Sequence, residues 1–311
     1  MRNSRSGTGT NGRRKLLVVG AGDIGQRVIA AIAARNPVTA LTSTPANTHR
    51  LKRLGARVVR ADLDKPGTLS RLPRDWELLL HCAPPPPRGS RDTRTRNLLR
   101  VLASSAPCMR ESLSRTIVYL STSGVYGDRK GALVGETATP APSSARARRR
   151  IDAERQLTVA ARQHGWRLTV LRVPGIYSES RLPLERLRAG LPAIVATEDS
   201  YTNHIHAADL AAIAVKALHR AWTRPRVRVY TANDDSDILM GDYFDLVARA
   251  FALPPPPRVA RAQIESVVSP MQYSFMRESR RMDNGRLKRE LRVRFQFPTV
   301  ADCVSSVTIQ P

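Results

Sequence analysis

Three glycines near the start of the sequence have the spacing of a phosphate-binding turn. The segment GAGDIG follows a short apolar run and opens a stretch with helical apolar spacing. The first glycine would permit a tight turn, the second would let the backbone approach a pyrophosphate, and the third would let a helix pack closely on a strand. Free amides at the helix start would then face the phosphates. We therefore predict a dinucleotide site, with a plain glycine turn as the alternative. Its predicted residues are Gly20, Gly22, Asp23, Ile24 and Gly25.

Hydroxyl groups end the second predicted strand, where dinucleotide-binding proteins often carry an acid. The residues are Thr42, Ser43 and Thr44, with Arg50 further along the chain. Without a carboxylate, the 2′-phosphate of NADP(H) is not repelled, and the hydroxyls and Arg50 would bind it. Arg50 has a second interpretation as an ordinary exposed helix residue. The pattern favours NADP(H) over NAD(H) as the cofactor.

Apolar strands alternate with helical segments from residue 15 to residue 175. Strands are predicted at 15–20, 37–43, 56–63, 76–83, 115–124 and 166–175, and helices at 23–35, 46–54, 92–105 and 144–164. Such alternation indicates parallel pairing, with helices on both faces of the sheet. Right-handed crossovers then predict an α/β fold with a doubly wound parallel sheet, the Rossmann fold.

The alternation loosens after residue 175. Helices are predicted at 182–190, 207–222 and 240–253, and a strand at 227–232. We expect a disordered basic tail at 1–14, an NAD(P)-binding Rossmann domain at 15–175, and a smaller C-terminal lobe at 176–311. That lobe would cover the carboxyl edge of the sheet, hold the substrate, and contribute elements back to the sheet.

Several segments together resemble one family in their order along the chain. They are GAGDIG (20–25), ADLD (61–64), HCAPPP (81–86), STSGVYGD (121–128), LRVPGIY (171–177) and NHIHAADLA (203–211). Over residues 15–295 the sequence resembles the extended short-chain dehydrogenases/reductases, often labelled NAD-dependent epimerase/dehydratase. It looks most like the atypical members, which have a shortened glycine motif. The resemblance implies hydride transfer at a carbonyl, or epimerisation or dehydration of a nucleotide-sugar-like substrate.

The resemblance also implies roles for single residues around the cofactor. Two residues would flank the adenine, three would line the cofactor beyond the fourth strand, and two would contact the nicotinamide end. In that order they are Asp62 and Leu63; Cys82, Ala83 and Pro84; and Pro174 and Ile176.

The catalytic segment is matched only in part. Thr122, four residues before Tyr126, matches the family's catalytic serine or threonine, and Ser123 is a near alternative. Either could instead cap the end of the strand. His204 and His206 have two interpretations, as structural hydrogen-bonding residues or as substrate contacts.

Counting back from Glu154, the family's catalytic lysine falls on Arg150 and its tyrosine on Arg146. Arginine cannot replace the tyrosine as an acid, because its pKa lies above about 12 and it stays protonated. The loss of a general acid typically lowers the rate by about 10²–10⁴. Ordinary tyrosine-dependent reduction is therefore not expected from this position.

Two interpretations of the substituted helix remain open. In one, its arginines form a solvated basic cluster and catalysis has decayed. In the other, Arg150 holds the cofactor ribose and Arg146 binds an anionic substrate or orients its carbonyl. Helical geometry places both at the edge of the apolar arc, whereas Arg148 and Arg149 would point to solvent. The replacement acid would then be one of Tyr126, Tyr177, Tyr201 and His206.

The net charge of +25 comes mainly from arginine, which accounts for 45 of the 51 basic residues because only six are lysine. The arginines are spread along the chain and aromatic residues make up only 5%, so specific nucleic-acid binding is not expected. Anionic ligands are favoured by such a charge. An alternative function is a catalytically weak protein that senses NADP(H) and signals to a partner.

Composition also bounds location and assembly. Cys82, Cys108 and Cys303 lack metal spacing and an obvious pairing, so we expect a reducing cytoplasm and no metal site. No apolar run reaches the roughly 20 residues needed to cross a bilayer. We expect a cytoplasmic protein without membrane association. The family resemblance implies that a possible homodimer would pair through the helices at 92–105 and 144–164.

Overall fold

The computed structural model describes residues 13–103, 115–220 and 226–308. The predicted basic tail therefore lies almost wholly outside the described residues. So do Cys108 and the last residues of the helices predicted at 92–105 and 207–222.

The described elements follow the alternation expected from the sequence. The strands are β1 (Leu16–Val19), β2 (Val38–Thr42), β3 (Arg57–Arg60), β4 (Leu78–His81), β5 (Thr116–Thr122), β6 (Leu133–Val134), β7 (Arg167–Val173), β8 (Gly175–Tyr177), β9 (Ala193–Ile194), β10 (Tyr201–Thr202), β11 (His204–His206), β12 (Val227–Thr231), β13 (Ile238–Leu239), β14 (Arg258–Val259) and β15 (Arg281–Met282). The helices are α1 (Asp23–Ile32), α2 (Asn47–Arg53), α3 (Thr93–Ala103), α4 (Ala145–Gln163), α5 (Leu184–Arg188), α6 (Ala207–His219), α7 (Met240–Ala250), α8 (Arg261–Val267), α9 (Pro270–Met276), α10 (Gly285–Leu291) and α11 (Val300–Thr308).

The central sheet has seven parallel strands in the order β12-β7-β5-β4-β1-β2-β3. The chain starts at β1, winds outward through β2 and β3, then crosses back to β4 and winds the other way. The prediction of a doubly wound parallel sheet is confirmed. Strands β1 and β4 are neighbours whose connections leave in opposite directions, which opens a crevice at their carboxyl ends.

The sheet is covered on both faces, as its continuous apolar strands require. On one face, α1 and α6 pack on the sheet through buried residues such as Val28 and Ile213. On the other face, α3 and α4 do so through residues such as Leu98 and Leu157. Both faces of β1 are dry, and all four of its side chains are buried. Its carboxyl end is the part left open to a ligand.

The chain after residue 175 supplies elements to this sheet and also forms a core of its own. Strand β12 pairs with β7 in parallel, with Val227 opposite Leu168. Helices α5, α7, α8 and α11 share a separate core that includes Leu187, Phe244 and Ile264. That core places α9 and the segment after it beside the carboxyl edge of the sheet. Within the described residues, no helix combines the length and apolarity needed to span a membrane.

Helix α4 is fixed at its start and in its middle. The Ser144 side chain caps it by accepting a hydrogen bond from the Ala147 amide. In its middle, the buried Glu154 carboxylate is 2.9 Å from Arg172 Nη2 on β7 and accepts a hydrogen bond from the Ser121 hydroxyl on β5. The Arg172 guanidinium also lies 4.9 Å from the centre of the Tyr126 ring. These contacts hold the helix at a fixed height above the sheet.

The prediction that Arg149 points to solvent is wrong. Its side chain is buried, and Nη1 donates a hydrogen bond to the Gly89 carbonyl at 2.7 Å. The loop before α3 covers this side of α4, where Asp152 accepts a hydrogen bond from the Asp92 amide. The helical period predicts the direction of a side chain, but it does not predict whether a distant loop covers that side chain. Arg148 is exposed, as expected.

Removing one partner of the buried ion pair should strongly destabilise the fold. Arg172→Met leaves the Glu154 carboxylate buried without a counter-charge, at an expected loss of about 3–5 kcal/mol in the free energy of unfolding. The double variant Glu154→Leu/Arg172→Met should recover most of that loss. Urea unfolding followed by circular dichroism measures both. Lys15→Met, which removes an exposed pair with Asp75, serves as the control and should change stability by less than about 1 kcal/mol. Equal effects of Lys15→Met and Arg172→Met would contradict this account.

Candidate active site

The first cavity opens at the carboxyl ends of β1, β2 and β4 and has a volume of about 460 Å³. Strand β1 leads into Gly20, whose φ of +88° is the left-handed region that favours glycine. A Cβ on Gly20 would lie 2.3 Å from the Ala83 nitrogen. This position therefore brings the turn after β1 directly against the end of β4, and only glycine permits that approach.

The two later glycines also fit a bound pyrophosphate. A Cβ on Gly22 would meet nothing within 4 Å, because it would project into the open cavity. A Cβ on Gly25 would lie 2.9 Å from the Gly20 carbonyl oxygen, so this glycine permits close helix packing. Helix α1 begins at Asp23 without a side-chain cap. Its first amides are thus left for a ligand, and the cradle fits the phosphates of a dinucleotide.

Most residues that were predicted to bind the cofactor lie together around this cavity. Those lining it are Gly20, Gly22, Asp23, Ile24, Gly25, Thr42, Ser43, Asp62, Leu63, Cys82, Ala83, Pro84 and Ile176.

Two predicted cofactor residues lie elsewhere. Arg50 is exposed on α2, so the structure supports its second interpretation as a surface helix residue. Pro174 lines a second cavity, whereas Val173 before it lines the first. Successive side chains of an extended segment point to opposite sides, which accounts for that separation.

Three arginines enter the first cavity from separate parts of the chain. Arg94 on α3 pairs with Asp64 at 2.6 Å and donates to the Pro84 carbonyl at 3.2 Å. Arg181, from the C-terminal lobe, lies 3.4 Å from the Asp23 carboxylate. Sequence reasoning missed both, because neither belongs to a motif and only the fold brings them to the phosphate turn.

Arg150 is the third, at the position of the family's lysine. Its Nη1 donates to the Leu120 carbonyl at 2.8 Å and to the Tyr119 hydroxyl at 3.1 Å. Burial raises the pKa of Tyr119 to about 12, so this hydroxyl stays protonated. Burial, together with the charge of Arg150, lowers the pKa of His81 to about 3 and keeps that ring neutral. Arg150 is therefore anchored at the cavity wall as a fixed cation.

The second cavity adjoins the first and has a volume of about 720 Å³. Ile176 lines both cavities. Residues from β5, α4, the segment after β7, β10 and α9 surround it. Its polar lining residues are Thr122, Ser123, Ser144, Arg146, Tyr201, Thr202, Asn203, Ser274, Glu278 and Arg280.

The predicted catalytic residues divide between the two cavities and the core. Thr122, Ser123 and Arg146 line the second cavity, and Arg150 lines the first. Thr122 also caps the turn that follows it, because its hydroxyl oxygen accepts a hydrogen bond from the Gly124 amide at 3.3 Å. Tyr126 is fully buried beneath Arg172, and burial raises its pKa. Its burial separates it from a ligand in either cavity.

The other candidate acids are similarly separated. Tyr177 is 1% exposed and packs edge-on against His206, with its pKa raised by burial. His206 caps α6 through Nδ1, which accepts a hydrogen bond from the Ala208 amide at 3.3 Å. Of the four candidates raised by the sequence, Tyr201 is the one that lines the second cavity.

A cluster of three possible metal ligands lies near the first cavity, formed by Glu179, His206 and Cys303. Their ligand atoms all lie within 4.8 Å of one another. Because His206 Nδ1 accepts the Ala208 amide hydrogen, the neutral ring carries its proton on Nε2, facing Glu179 at 3.5 Å. A metal at Nε2 would have to displace that proton. The cluster is better described as a close contact between Glu179, the first residues of α6 and α11.

A glycine turn at the switch point of a doubly wound sheet defines a dinucleotide-binding α/β protein. More narrowly, the chain belongs to the NAD dependent epimerase/dehydratase family, whose model matches residues 16–231. The resemblance read from the sequence motifs is thereby confirmed. No curated protein matches the chain significantly.

Solved structures share the fold over nearly the whole chain. A functionally unknown conserved protein from Silicibacter pomeroyi DSS is 26% identical, with a TM-score of 0.78 over 95% of this chain and 98% of that one. A UDP-glucose 4-epimerase from Thermotoga maritima, solved with UDP-glucose, is 18% identical, with a TM-score of 0.73 over 94% and 97%. MoeE5, solved with UDP-glucose and NAD, is 19% identical, with a TM-score of 0.69 over 94% and 97%.

The open space at Gly22 gives a test of the phosphate cradle. Gly22→Ala should weaken NADPH binding at least about tenfold and leave the melting temperature unchanged, because the added methyl group would enter the ligand's space and touch no protein atom. Fluorescence titration and thermal unfolding measure the two effects. Gly67→Ala is the control, since a Cβ there also meets nothing within 4 Å but Gly67 lies in the turn Pro66–Arg71. An unchanged affinity for NADPH in Gly22→Ala would show that the phosphates do not bind at this turn.

Proposed function

We propose that the protein is an NAD(P)-linked oxidoreductase of the epimerase/dehydratase type, which transfers a hydride between a cofactor in the first cavity and a small molecule in the second. The observation that carries the proposal is that the two cavities adjoin at Ile176. The glycine turn at residues 20–25 lines the first cavity, and Thr122 lines the second. A substrate carbon in the second cavity would then face the cofactor across their junction.

Arg150 takes over part of the work of the absent lysine. Its Nη1 donates to the Leu120 carbonyl and the Tyr119 hydroxyl, and its other N–H groups would be available to hold the ribose of the cofactor. Arginine donates from a rigid planar fork and stays charged, so it suits this holding role. It does not act as an acid.

The cofactor would supply or accept the hydride at the substrate carbon. The Thr122 hydroxyl keeps its proton free to donate to the substrate oxygen, because its oxygen already accepts from the Gly124 amide. In the reductive direction, that oxygen also takes a proton, and the hydroxyl group of the second cavity proposed to give one is that of Tyr201. Tyr201 would regain its proton from solvent. Glu278, which also lines this cavity, was missed by sequence reasoning because it lies in no motif.

The cofactor of this proposal is NADP(H). Thr42, Ser43, Thr44 and Asn47 line the first cavity beyond β2, and each offers a hydroxyl or an amide. No carboxylate follows β2 within the described residues 43–53. A 2′-phosphate would therefore meet hydrogen-bond donors rather than a like charge.

Cofactor preference can be measured by parallel titrations with NADPH and NADH. The wild-type protein should bind NADPH at least about tenfold more tightly, and Ser43→Asp should reverse the preference by placing a carboxylate beside the phosphate. Arg50→Ala should leave both affinities unchanged, because Arg50 does not line the first cavity. A selective loss of NADPH affinity in Arg50→Ala would instead place the 2′-phosphate on that helix. Tighter binding of NADH would refute the NADP(H) assignment.

Turnover tests the proposed activity itself. NADPH oxidation is followed at saturating cofactor with a panel of ketones, aldehydes and oxo acids. Arg150→Ala should weaken NADPH binding about tenfold or more, through the loss of its charge-assisted hydrogen bonds. Arg148→Ala changes the same residue type on the same helix, but Arg148 is exposed and should have no effect. Failure of both cofactors to bind below millimolar concentration would refute the proposal. Tight binding with no turnover on the whole panel would favour a sensor of NADP(H).

A further inference from the structure

Among the described residues that line the second cavity, Arg146 is a cation that forms no ion pair within 4.0 Å. Arg280 and Glu278 neutralise each other at 2.8 Å, and their side chains are 11% and 10% exposed. Among the described residues, no carboxylate lies within 4.0 Å of the Arg146 guanidinium, whose closest described partner is the Phe275 ring at 5.0 Å. The cavity therefore carries a net charge of about one positive unit from its lining side chains.

Arg146 occupies an unfavourable place for the fold. It lies in the first turn of α4, where a cation opposes the helix dipole. Partial burial lowers its pKa, the charges of the neighbouring Arg150 and Arg149 lower it further, and the charge of Glu278 acts in the opposite direction. The surroundings thus disfavour a cation at this position. A bound anion would relieve these unfavourable interactions together, since it would face the guanidinium at the N-terminus of α4.

The rest of the lining is suited to an apolar group. Met240 on α7 and Pro270, Met271 and Phe275 on α9 contribute apolar surface to the same cavity. Met271 and Phe275 are 68% and 48% exposed, so α9 presents apolar side chains that its own core does not cover. Phe275 lies beside Arg146, whose guanidinium carbon is 5.0 Å from the centre of its ring.

We infer that the substrate is a small carbonyl compound with a single carboxylate, which pairs with Arg146, and an apolar substituent, which packs against α9. This inference rests on the proposed function. Arginine binds a carboxylate through two parallel hydrogen bonds, and the Phe275 ring keeps the guanidinium plane in position. A nucleoside-diphosphate sugar carries at least two negative charges, but the second cation of the cavity, Arg280, is already neutralised by Glu278.

Calorimetric titration of the full chain with 4-methyl-2-oxopentanoate tests the inference, with and without saturating NADPH. The compound should bind, and Arg146→Gln should weaken its binding at least about tenfold, as expected for the loss of a charge-assisted pair. Arg146→Lys should retain part of the affinity. Arg148→Gln, on the same helix but outside the lining of the second cavity, should change nothing. Unchanged melting temperatures show that the variants fold.

Two comparison ligands test whether binding requires the carboxylate and whether a nucleotide sugar binds instead. The neutral ketone 4-methyl-2-pentanone should bind far more weakly than the oxo acid, and UDP-glucose should bind weakly and independently of Arg146. The inference is overturned if the oxo acid does not bind, if Arg146→Gln binds it equally well, or if UDP-glucose binds more tightly. Oxo-acid binding that depends on Arg146 in a protein that binds neither NADPH nor NADH would uphold the anion site and refute only the proposed reaction.

Discussion

The close approach of the turn after β1 to the end of β4 is the constraint on which the site depends. Gly20 lies against the Ala83 backbone so tightly that any side chain would collide with it. That contact sets the width of the crevice between the two halves of the sheet, where the connections diverge. The phosphate turn, the first amides of α1 and the residues after β4 then share one wall. The second cavity adjoins the first at Ile176, beyond this wall.

Helix α4 is the second fixed part of the site. Its middle is tied to β5 and β7 by the buried Glu154–Arg172 pair, and its start is capped by Ser144. A buried pair of this kind holds its position firmly, although it is not a strong net source of stability. Held in this way, the helix places Arg150 at the first cavity and Arg146 at the second.

The sheet and the phosphate turn could be predicted from the sequence because both are local signals: apolar runs, helical spacing and three glycines. The predictions that were wrong or incomplete concern residues whose surroundings depend on distant parts of the chain. Arg149 is buried because a loop some sixty residues earlier lies over it. Arg181 and Glu278 come from segments without motifs and reach the cavities only through the packing of the lobe. Tyr126 was a candidate for the replacement acid, yet its ring is enclosed beneath Arg172. No local pattern reports such coverage.

Arg146 and Arg150 are one helical turn apart, about 6 Å along the axis, yet each lines a different cavity. Under the proposed function, substrate recognition and cofactor binding would therefore be separable traits on a single helix. A substitution at Arg146 would change the second cavity and leave the contacts of Arg150 at the first cavity in place. Because the two positions are four residues apart on one helix, the lining of one cavity can change while the other cavity and the fold are retained.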